Sequence, residues 1–391
     1  MKSVSKNLNS NISQQLFYLL VLVLFLRIDL VFENNTPTGG DMGAHIVAID
    51  TFIKDFMPNL QINGWSNDWF GGYPLYYFYF PLPAIITFIL NLVFPFGIAF
   101  KIMVVMSTIL VVYSIEKLMR KTSNQISIYG ATAGLFYVFT ESFTIYGGNL
   151  ASTLAGQFSF AYSLAFANLS IFYLIKSENK FRFTISSIFL ALCLLSHLIP
   201  FIIYSPIYAF YWLSKKQNLN QRILSIFIFL ALASRWSISL LMNLEYTTNM
   251  SYTPFSRLDD LIKKDILPII FILIGLLIAK HKNLIKNKTI NLFDLYIISS
   301  SVLLYFYVPE GALWNGRLVP FFNLGIIFLF FKAVEIFIDD INLYQQGVNV
   351  LTGLFLGGTI YCLYIFYEKW STNQSYLNLY IPIIFLIMIF A

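Results

Sequence analysis

The chain is predicted to be an all-α polytopic membrane protein. Apolar residues make up 58% of its 391 positions and charged ones only 11%, where soluble proteins carry about 25% charged. Mean hydropathy is +0.71. Lys and Arg gather in short turns between lipid-length apolar runs, so the net charge of +6 reads as a topology signal and not as a nucleic-acid surface. Aromatic residues at 18% fit lipid-facing helices with interfacial belts.

A span needs about 20 helical residues, and that length orders the chain. Leu16–Phe32 reads as a retained first span. The segment from Glu33 to Pro83 follows, a long first extracytoplasmic loop with short helices. Pro83–Phe94 is too short to cross and is bounded by Pro81, Pro83 and Pro95, so it is expected to dip into the outer leaflet and return. Further spans are expected at Ile98–Glu116, Ile126–Phe139, Phe158–Ile175, Phe183–Leu198, Phe201–Leu213, Ile223–Met242, Ile266–Ala279, Phe293–Val308, Leu318–Lys332, Val348–Tyr367 and Tyr376–Ala391, about twelve in all. With the short run re-entrant, the basic turns 117–121, 176–182, 215–222 and 280–288 share a side with Lys2 and Lys6. That puts the N terminus in the cytoplasm of a multi-pass cell-membrane protein. The whole chain, 1–391, reads as a single transmembrane domain, and its end at Ala391 inside an apolar run suggests a truncated C terminus. Cys193 and Cys362 lie inside apolar runs and carry no redox signal.

The polar segment holds the chemistry. Asp41 follows Gly39-Gly40 and precedes Gly43, where the backbone can turn sharply. Its carboxylate can serve as general base toward an acceptor hydroxyl or amine, or cap a helix over Met42–Phe56. His45, one turn later, can orient Asp41, form half of a divalent-metal site with it, or be a plain surface histidine. Asp68, Trp69 and Tyr73 belong to an aromatic run, 65–83, broken by glycines and prolines. Its rings suit a sugar or isoprenoid and Asp68 suits hydroxyls, or the run is an interfacial belt.

Three further elements stand out. Gly147-Gly-Asn149 through Gly156-Gln157 offers Asn149 and Gln157 as cavity hydrogen-bonders, or as helix-packing and capping residues. Trp314 and Arg317 sit at the mouth of a span, where the planar guanidinium matches phosphate oxygens or else snorkels to the interface. Arg235 lies near the middle of a span as a buried charge, functional or paired with Asp29 or Glu141. His197, before Pro200, reads as a buried structural histidine.

Together, GGDMGAH (39–45), WSNDWFGGYPLYYFYFPLP (65–83), GGNLASTLAGQFSF (147–160), LSHLIPF (195–201) and WNGRLVPFF (314–322) resemble the prokaryotic membrane proteins catalogued as related to 6-pyruvoyl-tetrahydropterin synthase. The resemblance covers about residues 15–335 and implies no pterin chemistry. That family in turn looks like the type C glycosyltransferases, with an acidic residue in a long first outer loop, many spans and a polyprenyl-phosphate-linked sugar donor. The resemblance implies a GT-C-like fold, Asp41 as the acid of the first outer loop and Arg317 as a contact to the donor phosphate. The family often carries Glu at the position of Gln157, so this chain lacks a carboxylate there.

The leading expectation is therefore a cell-envelope glycosyltransferase acting at the outer face, with the bilayer, a polyprenyl-phosphate sugar donor and a saccharide, lipid or protein acceptor as partners. Two other classes fit the same residues. One is a carrier or flippase for lipid-linked saccharides, and the other a non-catalytic subunit of a membrane assembly.

Overall fold

The computed structural model describes residues 26–122, 130–140, 145–175, 181–214, 219–248, 253–262, 266, 269–270, 273–274, 291–308 and 313–340. Helix dominates: α1 Met42–Thr51, α2 Leu82–Asn91, α3 Phe96–Thr122, α4 Gly130–Phe139, α5 Phe158–Ile175, α6 Arg182–Ser196, α7 Leu198–Ser214, α8 Leu219–Met242, α9 Leu292–Tyr307 and α10 Val319–Asp340. Four stretches are long and apolar enough to cross a membrane, Phe96–Arg120, Leu150–Ile175, Leu219–Met242 and Asn315–Val334, and α2, α4, α6, α7 and α9 are shorter apolar helices. The protein is a multi-pass helical membrane protein. Two of the expected spans, Val348–Tyr367 and Tyr376–Ala391, lie outside the described residues, as do the first apolar run up to residue 25 and most of Ile266–Ala279.

The all-α expectation needs one correction. In the polar segment β1 (Gly64–Ser66) pairs antiparallel with β2 (Tyr73–Leu75), Trp65 opposite Pro74. The connection between them carries positive φ at Phe70, Gly71 and Gly72. Gly72 lies so close to the Trp65 indole that a Cβ would stand 2.3 Å from its Nε1, so this hairpin needs a glycine there.

The helices pack around α5, which is buried continuously from Phe158 to Ile171. A helix buried on every side belongs to a core, not to a lipid face. Hydroxyls and amides bind it to its neighbours: Tyr162 donates to the Met103 carbonyl at 2.7 Å, the Asn168 amide to Ser114 at 3.1 Å, and the Tyr204 hydroxyl to Asn168 at 2.6 Å. Such bonds between apolar helices replace the missing hydrophobic drive inside a membrane. On the far side, Lys332 of α10 reaches both Asp294 oxygens of α9 at 2.6 and 2.8 Å.

The polar segment is held at both ends. The Lys101 ammonium on α3 donates to the carbonyls of Leu30 and Glu33 and to the Asn35 side chain, each within 2.7 Å. At the other end, the Trp236 indole on α8 donates to the carbonyls of Tyr76 and Tyr79.

Candidate functional site

The site begins where two glycine motifs meet. Gly39 (φ 110°) and Gly40 (φ 50°) turn the chain into α1, and the Asp41 amide donates to the Ala155 carbonyl at 3.0 Å. A Cβ on Gly40 would stand 2.3 Å from that same oxygen. Facing it, a π-helical turn over Thr153–Gln157 contains Gly156 at φ 102°, whose missing Cβ would lie 2.9 Å from the Asp41 Cβ. Only glycine allows this approach on either side. Its result is that the Gln157 side-chain amide donates to Asp41 Oδ2 at 3.1 Å. The Asp41 carboxylate makes no capping bond to α1, so the helix-cap alternative fails although the residue occupies the cap position.

His45 lies one turn further on, edge-on to Phe158 with ring centres 4.8 Å apart and tilted on Tyr79 at 5.5 Å. Burial lowers its pKa from 6.5 to about 4, against the opposing pull of the Asp41 charge and a hydrogen bond with the Gly156 backbone. It is therefore neutral at pH 7. The Tyr79 phenol, 38% exposed, is raised above its ordinary value by desolvation and keeps its proton as a hydrogen-bond donor.

Arg317 comes from the opposite end of the chain. It sits in the 3₁₀ turn Asn315–Leu318 that leads into α10. Asn315 locks this turn by bonding both Phe255 backbone groups and the Tyr305 carbonyl. The guanidinium donates to the Tyr146 carbonyl at 3.1 Å and lies 5.8 Å from the Trp314 ring centre.

These pieces enclose one cavity of about 500 Å³, within the range of small-molecule sites. Its lining includes Asp41, His45 and Gln157, the aromatic residues Trp69, Tyr73 and Tyr79, and His197, Trp314 and Arg317. Trp69 stacks on Tyr73 with ring centres 5.8 Å apart and planes 16° from parallel. Carboxylate, guanidinium and aromatic faces thus address the same volume.

Seven of the ten candidate residues line this cavity, and three do other work. Asn149 is fully buried; its side chain accepts the Ser152 amide at 2.8 Å and donates to the Thr140 carbonyl at 2.6 Å, capping the turn that carries Gly156. Asp68 accepts from the Thr51 hydroxyl and from Ser66 at 2.8 Å, bonds that hold its carboxyl below the usual range; it fastens the hairpin to α1. Arg235 is not buried within the protein. Its side chain is exposed and donates to the Leu60 carbonyl at 2.7 Å, while Asp29 pairs with Arg27 and Glu141 lies outside the described residues. The cavity also takes in Tyr79 and His197, which sequence reasoning left in an aromatic run and in a helix core. Among the described residues no three His, Cys, Asp or Glu side chains gather as a metal-ligand set, so Asp41 and His45 have no third partner of those types.

The fold has counterparts among solved structures. The chain superposes on ArnT from Cupriavidus metallidurans bound to undecaprenyl phosphate with a TM-score of 0.54 at 11% identity, covering 92% of this chain and 66% of that one. The same protein in the apo state matches with a TM-score of 0.54 at 11% identity, covering 90% and 64%. The fold is GT-C-like. Identity this low carries the fold alone, and the chain spans just under two thirds of those relatives. It matches no family model and no curated protein, so the pterin-synthase-related resemblance has no support there.

Proposed function

We propose that this protein is an integral-membrane glycosyltransferase that takes a sugar from a polyprenyl-phosphate donor at the outer membrane face. The observation that carries the reading is that Asp41 and Arg317, from opposite ends of the described chain, line one cavity. Its support is a fold similar to that of ArnT, whose structure holds undecaprenyl phosphate. In this reading the N terminus is cytoplasmic, residues 33–83 form an outer loop roofing the site, and α2 is re-entrant, since ten helical residues rise only about 15 Å.

The chemistry follows from charge placement. The acceptor's hydroxyl or amine attacks the anomeric carbon as Asp41 takes its proton. The bond from that carbon to the phosphate oxygen breaks, and the phosphate leaves with the electron pair. Arg317 holds the growing negative charge with a fork of donors. Gln157 fixes the rotamer of Asp41 through the bond to Oδ2, and the neutral His45 packs beside it without neutralising its charge. Trp69 and Tyr73 offer a stacked face for the sugar ring.

The test uses the full chain reconstituted in lipid with radiolabelled polyprenyl-phosphate sugars. Wild type releases polyprenyl phosphate and transfers the label, while Arg317→Gln loses most of this turnover. Absence of both donor turnover and polyprenyl-phosphate binding across a panel of hexose, pentose and aminosugar donors would overturn the reading.

A further inference from the structure

His197 stands at the break between α6 and α7, its backbone extended (φ −169°, ψ 137°) and its carbonyl accepting the Ser163 hydroxyl at 2.8 Å. The Ile199 amide donates to the ring's Nδ1 at 3.2 Å. An amide N–H can only donate, so Nδ1 carries a lone pair and the proton of the neutral ring is on Nε2. Phe80 stacks on this ring with centres 4.6 Å apart and Phe160 meets it edge-on at 5.3 Å, fixing its plane. Among the described residues no protein acceptor meets the Nε2–H, and the residue lines the same cavity as Arg317.

We propose that His197 is a second phosphate-binding residue of the donor site, its Nε2–H reaching the phosphate oxygens that the Arg317 guanidinium holds. This inference rests on the lipid-phosphate reading above. A group that can only donate needs an acceptor, and phosphate oxygens at neutral pH offer little else. The neutral imidazole adds direction without adding a second positive charge, and its placement costs nothing extra, because the Nδ1 bond that begins α7 already sets the ring. Arg317 supplies charge and His197 supplies aim.

The decisive variant is His197→Asn in the full chain. Asn is a preferred helix N-cap, so it keeps the bond to the Ile199 amide, but it is too short to present a donor to the cavity. Undecaprenyl phosphate should bind it about tenfold more weakly than wild type, the loss of one hydrogen bond to a charged group, with the unfolding midpoint within a few degrees. Equal binding by wild type and His197→Asn, with Arg317→Gln weakened, would overturn this inference and leave the cavity reading intact. No binding by wild type would overturn both. A second readout does not depend on the variant folding. In ¹⁵N-histidine-labelled wild type, assigned by elimination with His45→Gln and His281→Gln, the His197 Nε2–H resonance should move on adding undecaprenyl phosphate, and a signal that stays put contradicts the proposal.

Discussion

Of the places where the described residues set an acid and a base among apolar helices, two are built in different ways. Between α9 and α10, Lys332 closes on both Asp294 oxygens, with side chains 1% and 0% exposed, and the Asn291 capping box bonds the same carboxylate. In the cavity, Asp41 keeps a neutral partner, the Gln157 amide, and its charge faces an open volume that Arg317 also lines. Burying two charges is repaid only when each satisfies the other. The first pair therefore reads as architecture. In the second arrangement the Asp41 carboxylate and the Arg317 guanidinium both border a space of substrate size, as a site requires.

That contrast can be broken from either side. The largest effect is expected at Asp41: Asp41→Asn should lower donor turnover by about 10²- to 10⁴-fold, the range of a lost general base, with undecaprenyl-phosphate binding kept. Turnover at the wild-type rate would show that the carboxylate has no chemical role. At the other pair the loss should appear in stability. Lys332→Ala should cost about 3–5 kcal/mol by stranding Asp294, seen as a fall in detergent-solubilised unfolding, and the double change Asp294→Leu with Lys332→Met should recover most of it. If the double variant instead abolished turnover with stability kept, the two regions would not differ as described.

Smaller changes sharpen the comparison. Gly156→Ala must hold alanine at φ 102° and place a Cβ 2.9 Å from Asp41. A strain of about 1–3 kcal/mol is expected, and turnover should fall more than stability, since the displaced atoms belong to Asp41. A near-neutral result would mean that the two motifs can separate without harm. The smallest effect concerns pH. Because the folded pKa of His45 lies near 4, below its ordinary 6.5, the unfolded chain binds that proton first. Stability from this group is complete above about pH 6.5 and is lost as pH falls toward 4. His45→Gln should flatten the pH dependence of unfolding in that window, whereas an unchanged slope would assign it to another group.

Much of this contrast was legible in the sequence. Glycines beside Asp41 predicted a sharp turn and the small residues before Gln157 a close backbone approach, both of which the fold has, and the arginine at the mouth of an apolar run lines the cavity. What a linear pattern could not supply was the partner of each group. Asn149 and Asp68 carry the same side-chain chemistry as cavity residues, but their hydrogen bonds go to Ser152, Thr140, Thr51 and Ser66, which only folding brings near or orients. Arg235 stands in an apolar run and so reads as buried, yet its long stem lets the guanidinium reach the Leu60 carbonyl. His197 went the other way: the break between two apolar helices, with Pro200 just beyond, marks a helix end, and its facing the cavity depends on how α6, α7 and the polar segment pack.

The central claim is that residues near Asp41 and near Arg317 share one lipid-phosphate site. It is tested most directly with a polyprenyl phosphate bearing a photoreactive group next to the phosphate, cross-linked to the reconstituted wild type and mapped by mass spectrometry. Label on both 39–48 and 313–318, displaced by unmodified undecaprenyl phosphate, is the predicted result. Label confined to one of these segments, or spread over the exposed face of α8, would contradict it.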